Sequence, residues 1–319
     1  MPGSIFYIVL NMSIASCVVI VALFLVRLLK PIPRRYIYPM WALAFFRLAV
    51  PFIPSSRWSL FNLTGGFVKR IVDIETVTRG TVSAPEPVDL VILNAVGAID
   101  SYDPVTYREE SLEQIFNVSS AVWAVVAVGA LLAVCLLYIF TYRELRKAFH
   151  IEGAIYRSEM VLSPVLTGVL RPRIILPPGV DPESTTGKMI LEHENVHRKR
   201  LDNLWRALAV GIACVHWFNP LVWLMLRAFF RDMELSCDET VLKRGKYGSD
   251  GSKAYASALL QFAENRSIFV PSAFGSSGVR VRIVNVLNYK RMTVIGAVAS
   301  AIFLLAVAFA LITNPSFRG

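Results

Sequence analysis

Four long apolar runs, separated by polar and charged segments, dominate the pattern of this chain. A helix needs about 20 residues to cross the roughly 30 Å hydrocarbon core of a bilayer, and each run is close to that length or longer. The pattern therefore predicts four transmembrane helices, at residues 4–26, 36–53, 118–142 and 293–312. Two polar segments, 54–117 and 143–291, are left outside the bilayer.

The second polar segment has the pattern of a small folded domain. Residues 160–166 and 173–176 are rich in β-formers and are separated by Thr-Gly and Arg-Pro, which predicts a small hairpin or sheet. After residue 182 a Ser/Thr-rich start leads into an apolar stripe that continues to residue 210 without a proline, which predicts one long helix with a Ser or Thr cap. The predicted fold is mostly α: a four-helix transmembrane protein with an α+β domain between the third and fourth helices.

Composition and charge are those of a membrane protein. Hydrophobic residues make up 55% of the chain and charged residues only 18%, which argues against an ordinary soluble protein. The loop after the first helix carries Arg27, Lys30, Arg34 and Arg35 without an acid, and the positive-inside rule marks it as cytoplasmic. The net charge of +10 is thus explained by orientation, and no nucleic-acid-binding motif is present.

This orientation assigns a side of the membrane to every other segment. Basic residues follow the first apolar run instead of preceding it, so it is predicted to be a retained helix with the N-terminus outside. The 54–117 segment has five basic and nine acidic residues, as expected for an extracytoplasmic loop. The 143–291 domain is then cytoplasmic. The last helix, 293–312, or 292–313 when one flanking residue on each side is included, returns the C-terminus to the outside.

The stretch LEHENVHRKRLDNLW, residues 191–205, carries the candidate chemistry. On a helix, residues four apart lie on the same face, so His193 and His197 can direct both imidazoles at one point. Glu194 flanks that point. This H-E-x-x-H pattern is the zinc-binding arrangement of metallopeptidases, in which the glutamate takes a proton from the metal's water. Two solvated helix histidines near a salt bridge are the alternative.

A catalytic zinc needs a third protein ligand, with the fourth position open to water. A downstream carboxylate is the commoner choice, and RAFFRDMELSCDETVLKRG offers Glu234 with Asp238 one helical turn later. Glu234 is the predicted ligand, and Asp238 is predicted to accept the N–H of a ligand histidine and so fix its tautomer. His150, His216 and the sulfur of Cys237 remain alternative ligands.

One apolar run lies between the H-E-x-x-H segment and the segment with Glu234. Its path decides whether the two segments can share a metal. WRALAVGIACVHWFNPLVWLMLRAFF is long enough to cross a bilayer, which would place Glu234 on the opposite side from His193. His216, Asn219 and Pro220 interrupt this run, and proline breaks a helix near the preceding turn. We therefore predict a re-entrant or interfacial pair of half-helices near 207–230 that returns to the cytoplasmic side.

Further motifs stand in a fixed order around these residues. HENVHRKRLDNL, HWFNPLVW, ELSCDE, the upstream SPVLTGVLRPRIILP and the downstream VLNYKR resemble those of the BlaR/MecR-type integral-membrane zinc metallopeptidases. The resemblance covers most of the chain, from residue 36 to residue 312. It implies a gluzincin-like domain in a bacterial cytoplasmic membrane. The implied site residues are the Zn²⁺ ligands His193, His197 and Glu234, the catalytic base Glu194, and the supporting acids Asp202 and Asp238.

The resemblance also implies an endopeptidase used in signal transduction. The expected substrate is a cytoplasmic transcriptional repressor of the BlaI/MecI type, held as an extended strand along the predicted hairpin near 165–175. His216 is a candidate donor to the oxyanion, with a core histidine as the alternative. Self-cleavage in NRSIFVPSAFGSSGVRVR, residues 265–282, is a further expectation, with an ordinary linker as the alternative.

Two other functions remain open. One is a quality-control protease of the HtpX/Ste24 group, which also uses H-E-x-x-H followed by a glutamate ligand. The other is a non-catalytic membrane receptor whose zinc only stabilises the fold. Membrane lipid and a cytoplasmic protein are the expected partners, and a homo-oligomer is compatible with the sequence.

The β-lactam sensors of the family carry a penicillin-binding domain after the last helix, whereas this sequence stops at Gly319. It also lacks an S-x-x-K motif with a companion K-T-G. We therefore expect a short member of the family that does not itself sense β-lactams.

Overall fold

The computed structural model describes residues 2–29, 31–51, 55–56, 59, 110–245, 251–264, 276–290 and 292–315. Most of the loop predicted at 54–117 and of the cleavage segment predicted at 265–282 lies outside these residues. The described chain is mostly helical. Its helices are α1 (Pro2–Arg27), α2 (Arg34–Ile37), a 3-10 turn (Tyr38–Met40), α3 (Trp41–Ala49), α4 (Glu110–Leu145), α5 (Thr185–Arg200), α6 (Asp202–Val215), α7 (Pro220–Arg244), α8 (Gly251–Glu264), α9 (Ser276–Leu287) and α10 (Val294–Ile312).

Three of the described helices, α1, α4 and α10, are long and apolar enough to cross a membrane, and they contain three of the four predicted spans. The prediction of a fourth spanning helix at 36–53 was wrong, because that segment is divided. Pro39 lies in the 3-10 turn and α3 has only nine residues. Proline removes a backbone donor and restricts the residue before it, which explains the division.

The divided segment still runs beside the spans. Near its start the Trp41 indole donates to Asp232 of α7 at 3.0 Å. Near its end the carbonyl of Leu48 accepts from His216 at 3.0 Å. Short pieces packed against other helices therefore take the place of one long helix.

The single long helix predicted to reach residue 210 was also wrong, because the chain breaks between α5 and α6. Leu201 has φ 54° and ψ 41°, and it is the one non-glycine residue with positive φ in the described ranges. This left-handed conformation costs a non-glycine residue about 1–2 kcal/mol. In an unbroken helix, residue 202 would lie about 140° around the axis from His197. The break turns Asp202 back toward α5.

α6 and α7 form a helical hairpin whose turn, residues 216–219, packs among the membrane helices. Asn219 caps α7 by accepting from the Leu221 N–H at 2.9 Å, and its amide donates to Ser13 of α1 at 2.8 Å. The Trp123 indole of α4 donates to the last carbonyl of α6. α6 therefore begins, and α7 ends, on the same side of the spans. Asp202 begins α6, and the C-terminal part of α7 lies beside it.

The sheet strands are β2 (Phe149–Glu152), β3 (Ile155–Arg157), β4 (Val165–Thr167) and β5 (Arg173–Leu176). They form a four-stranded mixed sheet in the order β2-β3-β5-β4, which packs against α5. β3 pairs with β5 in parallel, and the outer pairs are antiparallel. The strand predicted at 173–176 matches β5. Of the strand predicted at 160–166, only the last two residues lie in β4. The two remaining described strands, β1 (Ser55–Ser56) and β6 (Asn314–Pro315), form a separate parallel pair.

Two apolar clusters hold α5 in place. On one side Met189 and Val196 pack with Val241 of α7 and Tyr255 of α8. On the other side Leu191 packs on a small cluster built from the sheet. Because α5 is held from both sides, its polar face has a fixed position opposite α7.

Candidate metal centre

α5 presents both histidines of the H-E-x-x-H motif on a buried face. The predicted cap is confirmed as Ser184, whose Oγ accepts from the Gly187 N–H at 2.9 Å. His193 and His197 follow one turn apart and are 7% and 2% exposed. Their Nε2 atoms are 3.1 Å apart. The helix has therefore brought two nitrogen donors to one point.

Asp202 fixes the ring of His197. Its Oδ2 lies 2.6 Å from His197 Nδ1, and a carboxylate only accepts, so Nδ1 carries the proton. The Tyr38 hydroxyl donates to the other oxygen of Asp202 at 2.9 Å, and this carboxylate is fully buried. The left-handed break at Leu201 thus places an acceptor behind His197 and leaves the Nε2 lone pair for a metal.

Tyr255 and Asp238 fix the ring of His193. The Tyr255 hydroxyl donates to Asp238 Oδ1 at 2.8 Å, so its oxygen accepts from His193 Nδ1, also at 2.8 Å. Asp238 Oδ1 itself is 3.3 Å from that nitrogen. Asp238 therefore acts on the histidine mainly through Tyr255, a residue that the sequence analysis did not single out.

The two Nε2 atoms are spaced as a zinc ion requires. Zn–N distances of about 2.0–2.1 Å in a tetrahedral site separate two nitrogens by roughly 3.3 Å. The observed separation of 3.1 Å between His193 and His197 is close to this. With both Nδ1 atoms protonated, the two Nε2 lone pairs face the same point, so they are suited to share one cation, either a proton or a metal ion.

Glu234 of α7 faces this pair of nitrogens. Its Oε2 is 3.6 Å from His193 Nε2, and its Oε1 is 3.7 Å from His197 Nε2. The side chain is 28% exposed, so this part of the site opens toward solvent. A carboxylate at this position suits a metal that must keep one position open.

Cys237, one turn further along α7, is a second candidate on the same face. With His193 and His197 it forms a buried group whose ligand atoms all lie within 4.8 Å of one another. Its Sγ is 3.4 Å from His193 Nδ1 and 3.3 Å from the His193 carbonyl oxygen. The sulfur therefore lies at the proton-bearing side of His193, whereas Glu234 faces both Nε2 atoms.

Two arginines that the sequence analysis missed hold the carboxylates of the site. Arg206 of α6 donates to Glu234 Oε1 at 2.7 Å. Arg282 of α9 lies 3.1 Å from Glu234 Oε2, makes two 2.8 Å bonds to Asp238, and is 3.3 Å from His193 Nε2. In the sequence, the apolar neighbours of Arg282 in VRVRIVNVL indicate that this arginine is buried in an ion pair.

The electrostatic balance favours positive charge beside the imidazoles. Burial lowers the pKa of His193 and of His197, but the Cys237 sulfur and the other acidic neighbours outweigh it and raise both pKa values well above normal. Burial raises the pKa of Glu234, but His197 and Arg282 hold it well below its usual range. At Asp238, Arg282 outweighs burial and lowers the pKa to about 2. The carboxylates are therefore ionised and the site attracts a cation.

The other predicted residues lie at three different places. Glu194 is half-buried on α5, next to His193. His150 lies on β2, where its ring contacts the Gly153 carbonyl. The suggestion that His216 donates to an oxyanion was wrong, because this residue donates to Leu48 at the far end of the 14-residue α6. At 1.5 Å per residue, that helix separates it from the histidine pair by about 20 Å.

The helix α5 carries the H-E-x-x-H motif, and buried acids fix both of its histidines. The described chain also has three helices of membrane-crossing length, α1, α4 and α10. Together these features define a multi-pass membrane metallopeptidase. A family model described as BlaR1 peptidase M56 matches residues 7–286. The chain belongs to the BlaR1 peptidase M56 family of regulatory membrane proteases.

One relative extends this comparison. "Regulatory protein BlaR1" of Bacillus licheniformis is 34% identical over 176 residues, which are 53% of this chain and 29% of that protein. The chain therefore matches less than a third of the length of this relative.

Proposed function

We propose that the protein is a zinc-dependent endopeptidase that hydrolyses peptide bonds at the cytoplasmic face of the membrane. The observation that carries this proposal is the convergence of two Nε2 atoms, 3.1 Å apart, on the carboxylate of Glu234. The flanking Glu194 makes the site suited to catalysis, because a purely structural zinc is normally closed by a fourth ligand and has no base beside it.

The proposed ligands are His193, His197 and Glu234. Glu234 is preferred to Cys237 because its oxygens face the Nε2 atoms, whereas the sulfur lies nearest to His193 Nδ1, which already donates to Tyr255. Bound Zn²⁺ would supply Lewis acidity: it would lower the pKa of a bound water toward about 7 and polarise the scissile carbonyl.

The protein's own side chains then have separate roles. Glu194 accepts the proton of the attacking water and passes it to the leaving amine, a role worth typically 100-fold to 10,000-fold. Arg206 and Arg282 keep the Glu234 carboxylate ionised and oriented. Asp202 holds the imidazole of His197 in the tautomer that leaves Nε2 unprotonated.

The edge strand of the sheet is the proposed docking site for the scissile peptide. β4 lies at one edge of the sheet next to α5, and Asn203 of α6 reaches it. Asn203 donates to the carbonyls of Leu166 and Gly168, which fixes this strand beside Arg206, itself paired with Glu234. An extended segment that pairs with β4 would pass over the histidine pair.

We infer a regulatory role, with a cytoplasmic transcriptional repressor as substrate and self-cleavage as a further reaction. Membership of a family that contains a regulatory protein supports the role. The basic residues at the end of α1 support the orientation, because they lie on the same side of the spans as the metal centre: Arg27 pairs with Asp232.

Glu194→Gln tests the proposed base. We expect zinc content to stay unchanged and substrate cleavage to fall at least about 100-fold, because the amide cannot accept the proton. The measurement is a proteomic comparison of cleaved termini in cells that carry the wild type or the variant, with elemental analysis of both proteins. Glu192→Gln, a neighbouring glutamate on the same helix, is the control. Cleavage that persists in Glu194→Gln would refute the assignment.

Glu234→Gln and Cys237→Ser test the ligand set. We expect Glu234→Gln to lose zinc, because an amide oxygen binds the metal far more weakly than a carboxylate, and Cys237→Ser to retain it. Zinc stoichiometry of the purified proteins is the measurement, with thermal unfolding to establish that both fold. The reverse pattern would transfer the ligand role to the sulfur.

A further inference from the structure

A groove of about 390 Å³ opens at the end of α1, on the same side as the metal centre. Its wall is mostly apolar and includes Val21, Phe24 and Leu25 of α1. Val21 and Leu25 are 46% and 62% exposed although they lie within a membrane-crossing helix. The apolar part of the groove therefore faces the hydrocarbon region of the bilayer.

Three arginines stand around this apolar wall. Arg27 ends α1, Arg34 begins α2, and Arg231 lies on α7, with its side chain exposed. They mark the level at which the hydrophobic span ends. The groove thus joins an apolar slot to a cationic mouth at the boundary of the membrane.

Two acids near this mouth offset part of its positive charge. The buried carboxylate of Asp232 is taken by Arg27, at 2.9 and 3.0 Å, and by the Trp41 indole. Both oxygens of Glu239 accept backbone N–H groups, those of Arg34 and Arg35. Against the three arginines, these two carboxylates leave one positive charge in excess at the mouth.

The Arg34 side chain is partly buried at this mouth. Its guanidinium donates to the carbonyl of Arg27 at 3.0 Å. Burial is the largest influence and lowers its pKa; Asp232 and Glu239 raise that pKa, whereas Arg27 and Arg231 lower it. An anion held between Arg34 and Arg231 would favour the charged form of this partly buried guanidinium.

We propose that the groove binds one anionic phospholipid from the bilayer, with its phosphate on Arg34 and Arg231 and an acyl chain along Val21, Phe24 and Leu25. Only a lipid supplies both parts at this depth: a phosphate for the arginines and a hydrocarbon chain for the apolar wall. The site is independent of the peptidase chemistry, although its far wall includes Leu235 and Val281, the neighbours of Glu234 and Arg282.

The test is native mass spectrometry of the purified chain, titrated with phosphatidylglycerol or with phosphatidylcholine of the same acyl chains. We expect the wild type to retain phosphatidylglycerol preferentially. Arg231→Gln should weaken that binding about five-fold without affecting phosphatidylcholine, because one basic contact is lost at the surface of the bilayer. Arg143→Gln, an exposed arginine in the last turn of α4, is the matched control and should change nothing.

A second variant tests the apolar half. Val21→Trp fills the slot while keeping every arginine, and it should also abolish the preference for phosphatidylglycerol. Equal retention of the two lipids by the wild type, or equal losses in Arg143→Gln and Arg231→Gln, would overturn the proposal. Displacement of the lipid by soluble glycerol phosphate at the same concentration would identify a simple phosphate site instead. A changed oligomeric state in Val21→Trp with lipid binding intact would identify a second copy as the occupant.

Discussion

At the scale of single residues, the conformation of Leu201 determines how His197 is held. A leucine strongly favours a right-handed helix, and its left-handed state costs about 1–2 kcal/mol. The buried bond from His197 to Asp202 is of the charge-assisted kind, which contributes about 1.5–3 kcal/mol and so offsets that cost. The bond from Tyr38 to Asp202 supports the same arrangement.

Asp202→Asn should lower zinc affinity 10-fold to 100-fold. The amide can still approach His197, but it no longer supplies the carboxylate that orients the ring and raises its basicity. The dissociation constant for zinc, measured by competition with a chromophoric chelator, is the readout. Asp181→Asn, at an exposed position before α5, is the control. An unchanged constant in Asp202→Asn would mean that the histidine is held by other contacts.

At the scale of elements, the sequence predicted those features that local chemistry determines. Asn219 and Pro220 signalled the turn between α6 and α7 because one caps and the other begins a helix. The spacing of His193 and His197 signalled their shared face. Tyr255 could not be found in this way, and VRVRIVNVL could mark Arg282 only as a buried charge without naming its partners. Both reach the site from distant helices.

The break at Leu201 and the division of 36–53 show the opposite case. Leucine has high helix propensity, so nothing in HRKRLDNLW marks the left-handed residue. The run at 36–53 has the length of a span, and its division depends on one proline and on packing against Asp232 and His216. In both places tertiary contacts override local preference.

Asn219→Ala should destabilise the hairpin by about 1–2 kcal/mol. The variant loses the cap of α7 and leaves Ser13 of α1 without its amide partner. Thermal unfolding in detergent or nanodiscs measures the loss. Asn288→Ala, at an exposed position after α9, should unfold like the wild type. An Asn219→Ala protein as stable as the wild type would show that packing alone determines the turn.

At the scale of the whole molecule, contacts between the helix ends show which ends lie on the same side. α1 ends beside α7 at the Arg27–Asp232 pair, and Arg35 of α2 donates to Tyr289 just before α10. The opposite ends of α1 and α4 meet through Phe6 and Phe116. The metal centre therefore lies at the level where α1 ends and α10 begins.

Cysteine labelling along α4 tests the proposed orientation. In a Cys135→Ser background, Gln114→Cys at one end of α4 should react with a membrane-impermeant maleimide added to intact cells. Lys147→Cys just beyond the other end should react only after permeabilisation, because the basic end of the span is expected inside. Both side chains are exposed, so access depends only on the side of the membrane. The reverse labelling pattern would invert the topology.

The hairpin of α6 and α7 has a mechanical consequence. Its tip touches α1, α3 and α4 through Asn219, His216 and Val215, while its two feet carry the acid behind one imidazole and the carboxylate in front of both. Because one hairpin carries both groups, we expect a displacement of its tip to move them together, over about 20 Å of helix.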